Sequence, residues 1–349
     1  MPAAGGEVAP TRHDFEFHGR GGEFFRIWIV NLALSLLTMG IYSAWAKVRT
    51  QRYLYGNTYV GGHSLDYDAS PWRILVGRVI AVSALLGYSL SVSFWPETIG
   101  LWYVAFGVLI PWLINSSLRF TARNSSYRNI RFNFGGTYAG ALVNYVIWPI
   151  LGYGTLFLLM PQARRARDFY YVNKHAYAGK PFETNFPAFR IYVAYIGGVA
   201  VFLALIFASF LAIGYLAEYV KSAKVLDASY AGFLIFPLYA IAYTVSLTFI
   251  DIMAFNLSLN NAKFDGRHEL RSRVSPWCMA WIVVSNFVLI LLTVGLFYPW
   301  ARVRQSRYQT ERLSLIVYGD LDAYTYELSR ANSAIGEEVA GFFDLGIGL

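Results

Sequence analysis

Long apolar runs alternate along this chain with short polar segments that carry most of its charge. Four runs, Ile74–Trp95, Ile99–Leu118, Ile191–Val220 and Ala231–Phe255, reach the roughly 18 to 20 residues that an α-helix needs to cross a bilayer core. They form two hairpins, the first joined by the small acidic loop Pro96-Glu97-Thr98. Three further apolar segments, Phe24–Ala46, the stretch around Asn144 and Trp277–Trp300, each lead into a basic cluster. Strand-like alternation is brief: Phe15–Phe17, echoed by Phe132–Gly135, and a turn with a second short strand over Tyr59–Tyr67; Lys180–Glu183 leads into the second hairpin and Lys263–Leu270 opens the third unit. This patterning predicts an all-α polytopic membrane protein with parallel internal repeats and short β-strand segments at the cytoplasmic face. Four helices cross fully, and three unit segments either re-enter or span, giving up to seven crossings.

The repeat is read from a phrase that occurs twice, Trp45-Ala46-Lys47-Val48-Arg49-Thr50-Gln51-Arg52-Tyr53 and Trp300-Ala301-Arg302-Val303-Arg304-Gln305-Ser306-Arg307-Tyr308. Each copy follows an apolar segment with an Asn ahead of a Gly, Asn31 with Gly40 and Asn286 with Gly295. A decayed third copy is Pro161-Gln162-Ala163-Arg164-Arg165-Ala166-Arg167, after Asn144, Gly152 and Gly154. The resulting division is a disordered start over 1–14, unit A with a hairpin over 15–131, unit B with a hairpin over 132–262, unit C over 263–312, and a polar, acidic tail over 313–349.

Composition supports a membrane class: 56% of residues are hydrophobic and 14% charged, against roughly 25% charged in a soluble domain. The net charge of +8 does not point to nucleic acid, because the Lys and Arg flank apolar spans among Trp and Tyr, as at lipid headgroup level. Partners are therefore membrane lipids, anionic on the cytoplasmic side. Charge also bears on topology. Seven full spans would put the Arg164–Arg190 cluster opposite Lys47, Arg49 and Arg52, against the positive-inside tendency. Re-entrant units put every Lys and Arg except Lys221 and Lys224 on one face. The glycines at 40, 152, 154 and 295, with Pro299, offer places for the bends. The first residues lack a basic region followed by an apolar stretch, so a first membrane segment is expected to direct insertion.

Candidate chemistry is sparse. Asn31, Asn144 and Asn286 recur inside apolar segments, where an amide must be hydrogen-bonded; they line a polar path or tie backbone freed at a bend. Asp251 within an apolar helix is the candidate for ion or proton coupling, and Arg78 is either its partner or a snorkelling interface residue. Trp45, Lys47, Arg49, Arg52, Trp300, Arg302, Arg304 and Arg307 are headgroup candidates. The acidic tail, with Glu337, Glu338 and Asp344, is a candidate to dock on that basic face. The five His are scattered and Cys278 is alone, so no metal spacing, disulfide framework or catalytic motif is present, and no cofactor is implied. An enzyme would need a site built from dispersed residues.

The blocks FEFHGRGGEFFRIWIVNLALSLLTMGIYSAWAKVRTQRYLYGNT (Phe15–Thr58), YPWARVRQSRY (Tyr298–Tyr308) and AIGEEVAGFFDLGIGL (Ala334–Leu349) resemble the YjgN-type family of bacterial inner-membrane proteins. The resemblance implies a multi-pass protein of the bacterial inner membrane and carries over no functional residue. From the residues, the leading expectation is a transporter- or channel-like protein with a site between the units. The alternative is a scaffold or anionic-lipid-interacting protein acting through its basic face.

Overall fold

The strand-like pieces are too short to stand alone, and their pairing determines the architecture. In a computed structural model that describes residues 10–223, 235–328 and 330, they close into a barrel of ten antiparallel strands. The strands are β1 (Pro10–Phe17), β2 (Thr58–Val60), β3 (His63–Tyr67), β4 (Ser125–Tyr127), β5 (Ile130–Phe134), β6 (His175–Tyr177), β7 (Lys180–Thr184), β8 (Ala262–Phe264), β9 (His268–Ser272) and β10 (Leu313–Tyr318). Each pairs with its neighbours in sequence, and β1 closes the ring on β10 with Pro10 opposite Tyr318. The expectation of an all-α protein carrying only short strand segments is therefore corrected. Closure satisfies every strand edge, which lets strands of three to six residues persist. Residues 313–318, read from sequence as the start of a polar tail, form β10, and residues 10–14, read as disordered, belong to β1. The acidic positions Glu337, Glu338 and Asp344 lie outside the described residues.

Five helical excursions leave one end of the barrel. Helices α1 (Gly21–Leu37) and α2 (Ser43–Gly56) run between β1 and β2; α3 (Pro71–Phe94) and α4 (Ile99–Arg123) run between β3 and β4. Between β5 and β6 the chain passes through α5 (Tyr138–Leu142), a π-helical stretch (Val143–Ile147), α6 (Trp148–Gly154) and α7 (Met160–Asn173). The last two excursions are α8 (Ala188–Ala223) with α9 (Ile235–Asn260), and α10 (Pro276–Leu292) with α11 (Tyr298–Thr310). The ends of every excursion are strand partners: Phe17 faces Thr58, Tyr67 faces Ser125, Phe134 faces His175, Thr184 faces Ala262 and Ser272 faces Leu313. Each excursion, the three short ones included, therefore goes out and returns at the same end.

The opposite end carries the tight turns. Gly61-Gly62, Arg128-Asn129 and Ala178-Gly179 all have positive φ at both positions, the backbone of a two-residue hairpin loop whose twist matches its strands. A short helix α12 (321–328) lies across this end. A Cβ at Gly61 would sit 2.6 Å from Leu321 Cδ2, so glycine allows α12 to approach.

Side-chain alternation shows which solvent the barrel meets. Arg12, Asp14 and Glu16 of β1, Asp66 of β3, Arg131 and Asn133 of β5 and Glu183 of β7 are exposed, while Phe15, Leu65, Phe132, Phe182 and Leu315 pack inward. A membrane barrel shows the reverse, apolar side chains outward. The barrel therefore faces water, and the membrane is met by the helices. Four of these, Pro71–Phe94, Pro96–Arg123 (α4 with the turn before it), Ala188–Tyr219 and Ile235–Asn260, are long and apolar enough to cross a membrane. Val76, Ile80, Leu101, Val104, Leu203 and Phe207 on them are exposed, as lipid-facing residues must be.

Candidate functional site

The bend of each short excursion is built alike. After α1, Met39 and Gly40 have φ of 48° and 91°; after α6, Leu156 and Phe157 have 50° and 68°; after α10, Val294 and Gly295 have 51° and 90°. A threonine stands one residue before each pair. Thr38, Thr155 and Thr293 each donate Oγ1 to a carbonyl four residues back, at 2.7, 2.8 and 2.7 Å. Each accepts from an N–H four residues ahead, of Tyr42, Leu159 and Phe297. Capping the outgoing helix and starting the return with one hydroxyl is what a sharp turn in apolar surroundings requires.

The asparagines tie each hairpin from inside. Arg49 Nη1 on α2 donates to Asn31 Oδ1 on α1 at 3.3 Å. Arg304 Nη1 on α11 donates to Asn286 Oδ1 on α10 at 3.2 Å, and Asn286 Nδ2 donates to the Ala301 carbonyl at 3.1 Å. Asn144 differs: it donates to the Gly140 carbonyl of its own helix at 2.8 Å, in the π-helical stretch leading to Pro149. Proline supplies no N–H, so the backbone there cannot keep a regular α ladder. The three asparagines line neither the groove nor the chambers described below.

A second set of bonds runs round the barrel rim. Arg307 Nη2 (α11) donates to the Gly19 carbonyl ahead of α1 at 2.7 Å. Arg52 Nε (α2) donates to the Tyr67 carbonyl ahead of α3 at 3.2 Å. Arg119 (α4) donates to Gly136 O ahead of α5, Arg165 Nε (α7) to Phe186 O ahead of α8 at 2.8 Å, and Asn256 Nδ2 (α9) to Val274 O ahead of α10 at 2.8 Å. Each returning helix thus holds the start of the next excursion, and the fifth tie closes the circle. Tyr53, Tyr170 and Tyr308 bond from the same helices to the backbone of Arg20, Thr137 and Ser275, the caps of α1, α5 and α10. Sequence reading missed these roles, although Tyr53 and Tyr308 close the recurring phrase.

Other candidates separate. Asp251 pairs with Arg164, which also holds Asp168 at 3.0 Å; Arg78 donates to Ser43 Oγ. Arg52 also pairs with Asp68 at 2.7 Å. Trp45 meets Trp72 edge-on at 5.1 Å, and Trp300 lies 5.0 Å from Phe25. Lys47 is exposed and Arg302 half-buried.

One groove gathers headgroup-type residues. Between α10, α11 and the start of α1, a groove of about 810 Å³ is lined by Trp277, Trp281, Trp300, Arg304, Arg307 and Arg312, with Glu311 its single acidic residue. Arg312 lies over the Tyr308 ring at 4.9 Å. On the barrel axis are two further spaces. A chamber of about 230 Å³ fills the barrel, and another of about 290 Å³ lies toward the helices between Tyr55, Ala122, Tyr171 and Leu259. They share Leu65, Phe132, Phe182 and Leu270, and no charged side chain among the described residues lines either. Among the described residues no group of three or more His, Cys, Asp or Glu is placed to hold a metal ion.

A water-facing ten-stranded barrel crowned by apolar helical hairpins defines an α-helical membrane protein of mixed architecture. The chain belongs to the family described as bacterial protein of unknown function (DUF898), whose pattern it matches over residues 12–342. It is 26% identical to the inner membrane protein YjgN of Salmonella typhimurium strain LT2, over 89% of this chain and 90% of that protein. It is 30% identical to YjgN of Escherichia coli O157:H7 and 31% identical to that of strain K12, over 46% and 44% of this chain. Those two matches span 42% and 39% of the relatives' own length, less than half of each. No solved structure matches. The chain is an inner-membrane protein.

Proposed function

We propose that this protein binds anionic membrane lipids, with its barrel on the cytoplasmic side. The carrying observation is the groove between α1, α10 and α11, where three tryptophans flank three arginines at the barrel end from which the helices emerge. Indole rings favour the headgroup level and guanidinium groups match phosphate with paired donors. Arg304 and Arg307 are already held by Asn286 and Gly19, so little freedom is lost when a phosphate binds. The concentration of Lys and Arg at the barrel end supports the cytoplasmic placement. The recurrence of the threonine turn, the inner amide and the tyrosine cap supports reading unit A and unit B, each followed by a hairpin within 15–131 and 132–262, and unit C over 263–312 as copies of one another.

A transporter-like reading asks for a polar path between the units. The asparagines are each bonded within their own hairpin, and no charged side chain among the described residues lines the axial chambers. An ion would find no solvation there, so lipid binding is the stronger reading. Native mass spectrometry of the protein released from nanodiscs tests it. Phosphatidylglycerol is expected to stay bound in preference to phosphatidylcholine, and Trp281→Ala with Arg312→Gln is expected to reduce the count. Equal retention of both lipids, or an unchanged count in the double variant, would refute the reading.

A further inference from the structure

At the foot of the first membrane hairpin, a cleft of about 400 Å³ opens between α3, α4 and β5. Arg73, Arg119, Arg123 and Arg131 line it with Ser116 and Asn124, and no acidic side chain among the described residues does. All four arginines are exposed, so a ligand from solution or from the headgroup layer reaches them.

Local rules of helix and sheet bring the four together. Ser116, Arg119 and Arg123 stand at i, i+3 and i+7 and share one face of the last turns of α4. Arg73 stands in the first turn of α3; Ile74 beside it and Phe120 of α4 both pack on Val48, Tyr67 and Ala69. Tyr67 faces Ser125 and Ser126 faces Arg131, so the start of α3, the end of α4 and β5 meet at one rim.

Ordinary structural roles cover only part of this set. Arg119 ties the Gly136 carbonyl through Nη2, and Arg119 and Arg123 suit the carbonyl end of α4. Arg73 does the opposite, placing a cation at the N-terminal turn of α3, the positive end of the helix dipole. The cap residue there, Ser70, makes no side-chain hydrogen bond to that turn. Arg52 and Arg128 nearby pair with Asp68 and Asp322, but Arg73, Arg123 and Arg131 have no ion-pair partner among the described residues. An adjoining cleft, which shares Asn124 and Arg131, adds Arg52, Asp66 and Asp68. Five arginines against two aspartates leave the junction with a net charge of +3. Like charges at i and i+4, as on Arg119 and Arg123, repel. A dianion between the guanidinium groups removes that repulsion and accepts from their paired donors.

We propose that this cleft binds a phosphate monoester, the headgroup of a membrane lipid or a soluble ester, whose two charges engage several guanidinium groups at once. Phe120 is its one aromatic residue among those described, so it lacks the indole shelf of the groove at α10 and α11 and selects by charge. The site is separate from that groove and does not rest on the reading proposed for it.

The test uses the full chain in uncharged detergent, carrying Trp281→Ala and Arg312→Gln so that the groove contributes least. It is titrated by calorimetry with dioctanoyl phosphatidate, sn-glycerol 3-phosphate and the singly charged dioctanoyl phosphatidylglycerol. Saturable binding of a monoester, about tenfold tighter than of phosphatidylglycerol, is expected. Phosphatidate as the tighter monoester identifies a lipid headgroup as the source; glycerol phosphate binding as tightly identifies a soluble ester. Adding Arg73→Gln with Arg131→Gln, neither of which ties the rim, is expected to weaken monoester binding about tenfold. Gel filtration and circular dichroism report folding, and the single change Arg123→Gln repeats the test. Absence of saturable binding by either monoester, equal binding of phosphatidylglycerol, or unchanged affinity in the folded arginine variants would overturn the proposal.

Discussion

Arg307 Nη2 donates to the Gly19 carbonyl at 2.7 Å across 288 positions of sequence, joining the last membrane-facing helix to the entry of the first. With Arg52, Arg119, Arg165 and Asn256 it makes a ring in which every excursion is fixed by its predecessor. A barrel built from such short strands depends on this rim, because the strand pairs beside each excursion otherwise end at a flexible junction. Arg307→Met is expected to cost about 1–2 kcal/mol, the range for a charge-assisted hydrogen bond at a partly exposed site. Arg307→Lys should recover little, since an ammonium lacks the planar fork. Thermal unfolding of the detergent-extracted protein, followed by circular dichroism, reads this. A variant as stable as the parent would mean the rim is held by the strands alone.

All five excursions leave one barrel end, so the tight turns must lie on the same side of the membrane as the ends of every helical hairpin. In a Cys278→Ser background, cysteines at Gly62 and Gly179, both exposed in barrel turns, are expected to react from one side. A cysteine at Glu97, between α3 and α4, should react from the other. A membrane-impermeant maleimide applied to spheroplasts and to inverted vesicles separates the two. Labelling of Gly62 and Gly179 from opposite faces would break the barrel arrangement.

What the sequence made legible follows from locality. The membrane helices are long runs whose lipid-facing residues need no partner to be recognised, and the bends at Gly40 and Gly295 were visible because glycine marks left-handed backbone. The barrel was not legible. A three-residue strand such as Thr58–Val60 shows barely one period of alternation, and Thr184 meets Ala262 only after a complete helical hairpin. Segment 313–318 was absorbed into the tail because its partner Pro10–Asp14 lies at the other end of the chain. The arginines were conspicuous, but a headgroup contact and a rim tie call for the same residue at the same depth. Arg52 and Arg307 were therefore read by their chemistry alone and not by the carbonyls they reach.

The bends give a local test. Gly40 and Gly295 have φ near 90°, a region costly for any residue with a Cβ. Gly40→Ala and Gly295→Ala are each expected to lose about 1 kcal/mol. The third bend places Phe157 at φ 68°, so Phe157→Gly should relieve strain and leave stability level or slightly raised. Urea unfolding in mixed micelles compares the three. An equal loss at all three positions would show that these side chains matter more than the backbone.

Two barrel histidines, His268 buried and His175 half-buried, set the acid limit of the barrel. Burial lowers the pKa of both His175 and His268, the former partly opposed by its bond to the Tyr171 carbonyl. In the unfolded chain both return to the ordinary value of about 6.5. Below that pH the unfolded state binds protons that the native state resists, so stability is complete above about 6.5 and falls as pH drops toward the depressed native values. Asp265 moves the other way. Burial raises its pKa, but Tyr324, Lys180 and Arg267 outweigh this and hold the carboxyl below its usual range, so its own loss belongs to more acidic solution. The midpoint of thermal unfolding is therefore expected to fall between pH 7.5 and pH 5.0. The His175→Gln, His268→Asn double variant should lose less over that interval, though it starts lower at pH 7.5. An identical acid loss in parent and double variant would assign it to other groups.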